Sequence, residues 1–139
     1  MRIAIVSEAS SGEGITILLD ACTRLDEVFL RSHPRTPRLY ASGVCYSRER
    51  EDHGEHFEER FLTIPMCLQW RGRDGHCSQG AGDCDDLACW RAAELRVSGE
   101  DSGARAEPLR RTGGWHVIVR RSDGAAEDPS RILGMKGGP

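Results

Sequence analysis

A cysteine stands among three aspartates where a helix should begin: residues 81–90 read AGDCDDLACW. Cys84, Leu87, Ala88 and Leu95 recur at helical spacing, with Ala92 and Ala93 between them and SGEDSG behind them. This predicts a helix over 84–97 with Cys84 in its first turn. A helix N-terminus presents unpaired backbone N–H groups and the positive end of the macrodipole, and both favour a thiolate over a thiol. The same N–H groups can donate to the oxyanion that forms when sulfur attacks a carbonyl. Asp83, Asp85 and Asp86 act in the opposite sense, since anions close to the sulfur raise its pKa. A cation has to offset them, and Asp85 or Asp86 can be taken up as a cap on the helix N–H groups.

His116 is the expected cation. In GGWHVIVRR (113–121) it lies on a strand where Trp115, Val117 and Val119 point one way and His116, Ile118 and Arg120 the other. Ile118 is expected to pack under the cysteine helix. A histidine base needs its second ring nitrogen held by an acceptor, and EDPS (127–130) offers Asp128, fixed in place by the proline after it. Cys84, His116 and Asp128 then form a triad. The thiolate attacks an amide carbonyl, His116 carries the proton, and Asp128 orients His116. Taken singly, each residue has a plainer reading: Cys84 as a small buried helix residue, His116 as a hydrogen-bonded sheet histidine, Asp128 as a helix start. Their order and spacing together promote them to chemistry.

GDCDDLA at 82–88, the strand carrying His116, and EDPS, with separations of 32 and 12 residues, resemble the transglutaminase-like cysteine hydrolases of the papain-like superfamily. The resemblance covers residues 71–135. It implies an α+β fold in which the nucleophile cysteine opens a helix packed on an antiparallel sheet, and acyl-enzyme chemistry on a peptide or side-chain amide. Water resolving the acyl-enzyme makes the protein a peptidase or amidase, and an amine in its place makes it a transglutaminase. Such enzymes often carry a side-chain donor to the oxyanion upstream of the cysteine, a role for Gln79 here, with Gln69 as the other candidate. Compact versions of this kind look similar to proteins encoded among phage and prophage genes, which adds phage or virion proteins as partners. A non-catalytic structural or adaptor protein of the virion that keeps the fold is the alternative.

The elements that must hold these residues can be read along the chain. The 139 residues fit one domain, with 71–135 as its catalytic core segment and 136–139 as a loose tail. RIAIV (2–6) suits a buried strand. Over 10–34, Ile15, Leu18, Leu19, Cys22, Leu25 and Phe29 mark one helix face, with a capping box from Ser10 and Glu13 at its start and Pro34 at its end. RLYASGVCYSRE (38–49) alternates as a strand, with a glycine that marks a bulge or a close approach. Residues 48–60, with His53 and His56, form a charged loop, and 61–71 a short helix or turn. Four glycines over 72–82 require a loop leading into Cys84. After the helix, 104–111 and 113–121 pair as strands, SDG (122–124) turns, and 125–135 form a last short element.

Composition excludes some functions. A net charge of −3 gives no basis for a nucleic-acid partner. The apolar run in MRIAIVSEAS is too short for a signal or a span, so a cytoplasmic location without membrane attachment is expected. The six cysteines are accordingly expected to be reduced. His76, Cys77, Cys84 and Cys89, with His53 and His56 in reserve, invite a metal, but no C-x2-C pair organises them. No metal and no cofactor are expected. GAGDCDD also lacks the Lys-Ser/Thr ending of a phosphate loop.

Overall fold

The computed structural model describes residues 2–6, 12–48, 58–112 and 114–136, with 2–6 and 58–60 as backbone alone. The expected capping residue Ser10, both His53 and His56, and the tail from 137 onward lie outside the described residues.

The long apolar stripe of the first half folds as α1 (Gly12–Ser32), which buries Leu19, Cys22, Thr23 and Asp26. The helix expected at Cys84 is α3 (Cys84–Ser98), capped at its C-terminus by Gly99 in the left-handed conformation (φ 81°) that glycine adopts without strain. Ten of its side chains are buried, so α3 runs through the middle of the protein. α1 packs along it, and both rest on an antiparallel sheet whose strands run in the order β5 (Arg105–Arg111), β6 (Gly114–Arg120), β7 (Ala126–Glu127). Leu19, Cys22, Ala88, Cys89, Leu95, Ala106, Val117 and Val119 form the core between these layers. The chain ends in α4 (Pro129–Ile132), with proline in its first turn.

The other face of α3 meets a second apolar cluster built on Leu87 and Trp90, with Leu39, Val44, Leu62, Ile64 and Cys67. Here the structure departs from the sequence reading. The strand expected over 38–49 is a 3-10 turn at Leu39–Ala41 followed by a two-residue strand, β2 (Cys45–Tyr46). Its alternation misleads because Leu39 is drawn fully into the core and Gly43, at φ +81°, turns the chain. The end of the expected loop, with Phe61 and Leu62, is instead strand β3 (Glu58–Leu62), antiparallel to β1 (Arg2–Val6). Its glutamates and arginine hide a strand that only the distant partner stabilises. α2 (Ile64–Gln69) follows, and the glycine loop closes into β4 (Ala81–Gly82), which pairs in parallel with β2.

The cysteines also differ from expectation. Cys45 and Cys77 are joined by a disulfide, while Cys22, Cys67, Cys84 and Cys89 keep thiols. Expecting reduced cysteines assumed a reducing compartment, and nothing in a separation of 32 residues signals that β2 and the glycine loop meet. The chain is α+β, and no described helix is long and apolar enough to cross a membrane.

Candidate active site

The start of α3 is built by short-range carboxylate chemistry. Asp83 is the N-cap, in extended backbone, and its Oδ1 accepts from the Cys84 N–H at 2.6 Å. Asp86 closes a capping box by accepting the Asp83 N–H on Oδ2 at 2.9 Å, and Asp85 Oδ1 accepts from the Asp86 N–H at 3.0 Å. Asp86 does a second job, because its Oδ1 accepts from the Leu62 N–H at 2.8 Å and so ties β3 to the helix start. Of Asp85 and Asp86, the two expected to take up a helix N–H, Asp85 does so, while Asp83 is the N-cap and Asp86 closes the capping box. The Cys84 N–H, an expected oxyanion donor, is thereby directed at Asp83.

Gly82 lets β4 come this close, since a Cβ there would sit 2.9 Å from Leu87 Cδ2. Cys84, the first residue of the helix, is the one cysteine still carrying a thiol that is not buried. Cys22 is pushed up to about 12, first by burial and then by Asp26 and Asp86, and burial drives Cys89 well above the ordinary thiol range. Position and exposure therefore separate Cys84 from the other thiols.

The expected base and its orienting acid are in contact. His116, 8% exposed on β6, shares a hydrogen bond between Nε2 and Asp128 Oδ2 at 2.8 Å. With the neutral ring protonated on Nε2, that N–H donates to the carboxylate and Nδ1 is left as the basic nitrogen. Asp128 is also the N-cap of α4, where Oδ1 accepts from the Arg131 N–H at 3.4 Å. The residue before it, Glu127, is clamped by three donors: the Tyr40 hydroxyl, Arg91 Nε at 2.5 Å and Arg121 Nη1 at 2.9 Å. Arg91 carries this clamp to α3, so the helix that bears Cys84 also holds the strand that delivers Asp128.

The hydrogen bonding of His116 among the described residues ends at Asp128 and does not reach Cys84. The link between them is the packing of α3 on β6, in which Cys84 rests against the cluster containing Val117 and Val119. Ile118, expected to pack under the cysteine helix, is buried on the same strand.

Sequence reasoning missed Tyr46. The parallel pairing of β2 with β4 sets Tyr46 opposite Gly82, and the Ser47 N–H donates to the Gly82 carbonyl at 2.9 Å. The phenol is held above its ordinary range, chiefly by burial and then by Asp83 and Cys84. No local pattern relates residues so far apart in the chain. Gln79, in contrast, is exposed, makes no hydrogen bond among the described residues, and lays its stem against Gly43. Gln69 is exposed at the end of α2.

Among the described residues, two groups bring metal-ligating atoms within 4.8 Å of one another: Cys45, His76 and Cys77, and Asp83, Cys84 and Asp85. The first is closed by the disulfide, and the second is the cap of α3. Cys89, part of the set considered from sequence, instead directs its thiol to the Leu19 carbonyl at 3.5 Å. Comparison of the chain with protein-family models, curated proteins and solved structures gave no match.

Proposed function

We propose that the protein is a cysteine-dependent amide hydrolase of the transglutaminase-like type. The observation that carries this reading is the His116–Asp128 pair at 2.8 Å on the sheet against which the Cys84 helix packs. Cys84 Sγ attacks a peptide or side-chain amide carbonyl as His116 Nδ1 takes its proton. His116 then protonates the leaving amine, and water, deprotonated by the same nitrogen, releases the acid from the acyl-enzyme. Asp128 keeps the ring in the tautomer that leaves Nδ1 basic. Tyr46, set opposite Gly82 two residues before Cys84, joins Gln79 as a candidate side-chain donor to the oxyanion.

A second reading, a virion scaffold or adaptor without catalysis, has its own support: the Cys84 N–H is occupied by Asp83, and no hydrogen bond joins Cys84 to His116. Of the cytoplasm and the virion, the virion better suits the Cys45–Cys77 bond, since disulfides persist outside reducing compartments. Brief iodoacetamide treatment at pH 6 with peptide mass spectrometry separates the two functions. An activated Cys84 is alkylated well below the ordinary thiol pKa of about 8.5, ahead of Cys22, Cys67 and Cys89, and His116→Ala abolishes that advantage. Equal, slow labelling in wild type and His116→Ala refutes the hydrolase.

A further inference from the structure

The Cys45–Cys77 bond lies in a setting that a purely structural disulfide does not need. His76 Nε2 is 3.3 Å from Cys77 Sγ, and the other ring nitrogen, Nδ1, is hydrogen-bonded to the Asp74 carboxylate. The ring is half exposed, whereas Cys77 is 2% exposed and Cys45 is intermediate. A cleft of about 480 Å³ runs between the residues that follow Cys45 (Tyr46, Ser47, Arg48) and those that precede Cys77 (Arg73, Asp74, His76). The loop is held in this position by the Arg73 N–H donating to Ser47 Oγ at 2.9 Å and the Cys77 N–H donating to the Arg71 carbonyl at 2.9 Å.

We propose that Cys45–Cys77 is a thiol-exchange site for a small-molecule thiol, with His76 as the proton donor to the departing Cys77 sulfur and Asp74 as the residue that orients His76. Exchange rates depend on which sulfur can be reached and on how well the other leaves. Both factors select Cys45 for attack, since Cys77 is the more buried and has the imidazole beside it. The thiolate forms a sulfur–sulfur bond to Cys45 as the Cys45–Cys77 bond breaks. Its electron pair goes to Cys77, which takes a proton from the His76 imidazolium to become a thiol. A second thiolate attacks the external sulfur of the mixed disulfide and releases the small-molecule disulfide and Cys45 thiolate. Overall, two small thiols are oxidised and one protein disulfide is reduced. This chemistry is independent of any amide reaction at Cys84.

The test uses the full chain with Cys84→Ser, so that the thiol of Cys84 takes no part. The probe is 2-mercaptoethanol at pH 5.5–8.5, with acid quench, alkylation and peptide mass spectrometry. The titratable and charged groups around His76 are Asp74 on its ring and Tyr46, Arg48 and Arg73 along the cleft, so His76→Gln and Asp74→Asn are compared in parallel. With the rate expressed per thiolate, opening is expected to accelerate as His76 becomes protonated, with the first adduct on Cys45. His76→Gln should slow opening on the order of a hundredfold at pH 6, the low end for a positioned proton donor, and should flatten the pH profile. Asp74→Asn should fall between. Equal rates in wild type and His76→Gln, a first adduct on Cys77, or recovery of Cys45 and Cys77 as thiols from air-exposed protein would each overturn the proposal.

Discussion

Asp26 supplies the sharpest test of the physical picture. It lies on α1 with 1% exposure, and its Oδ1 accepts from the Ile64 N–H at 3.0 Å where α2 begins. Burial raises its carboxyl from 3.8 to about 8, a rise that the Ile64 hydrogen bond only partly opposes. Between those values the folded protein keeps a proton that the unfolded chain has released. The contribution is therefore fully present below the unfolded pKa and is lost as the pH rises through the window to about 8. The slope is about 1.4 kcal/mol per pH unit, so moving from pH 5 to pH 7 removes about 3 kcal/mol through this residue. Cys22, raised to about 12, takes no part over that range. Asp26→Asn keeps an oxygen for the Ile64 N–H and cannot ionise. Urea denaturation followed by tryptophan fluorescence at pH 5 and pH 7 should show wild type losing about 3 kcal/mol more than the variant, all other titrations cancelling in the difference. Parallel losses in the two proteins would refute the assignment of a buried, protonated Asp26.

Asp86→Asn should lower stability by about 2 kcal/mol, because one amide oxygen cannot serve both the Leu62 and Asp83 N–H groups and its NH2 faces one of them. Thermal melts check this, and a change below about 0.5 kcal/mol, the ordinary effect of a surface substitution, would show that the tie to β3 is dispensable. Gly80→Ala should cost more than about 2 kcal/mol, since it combines φ +132° with a Cβ placed 2.6 Å from the Cys67 carbonyl oxygen. A urea midpoint like that of wild type would contradict the described path of the loop into β4.

What the sequence determined by itself is local. The apolar stripe from Ile15 to Phe29 specifies α1, and the glycines before Cys84 with the alanines and leucines after it specify α3 and put the cysteine in its first turn. Alternation around His116 specifies β6, and Asp128 before Pro129 specifies the start of α4. Each follows from backbone periodicity and capping within a few residues. Tertiary structure decided the rest. It set Tyr46 opposite Gly82 by pairing two-residue strands that have no stability of their own, and it recruited the charged segment Glu58–Leu62 as partner to β1. It joined Cys45 to Cys77, used Asp86 to hold β3, and clamped Glu127 between Tyr40, Arg91 and Arg121 so that Asp128 meets His116. Such contacts join segments far apart in the chain. They are selected by the burial and hydrogen-bond satisfaction of the whole fold, which no local pattern of residues encodes.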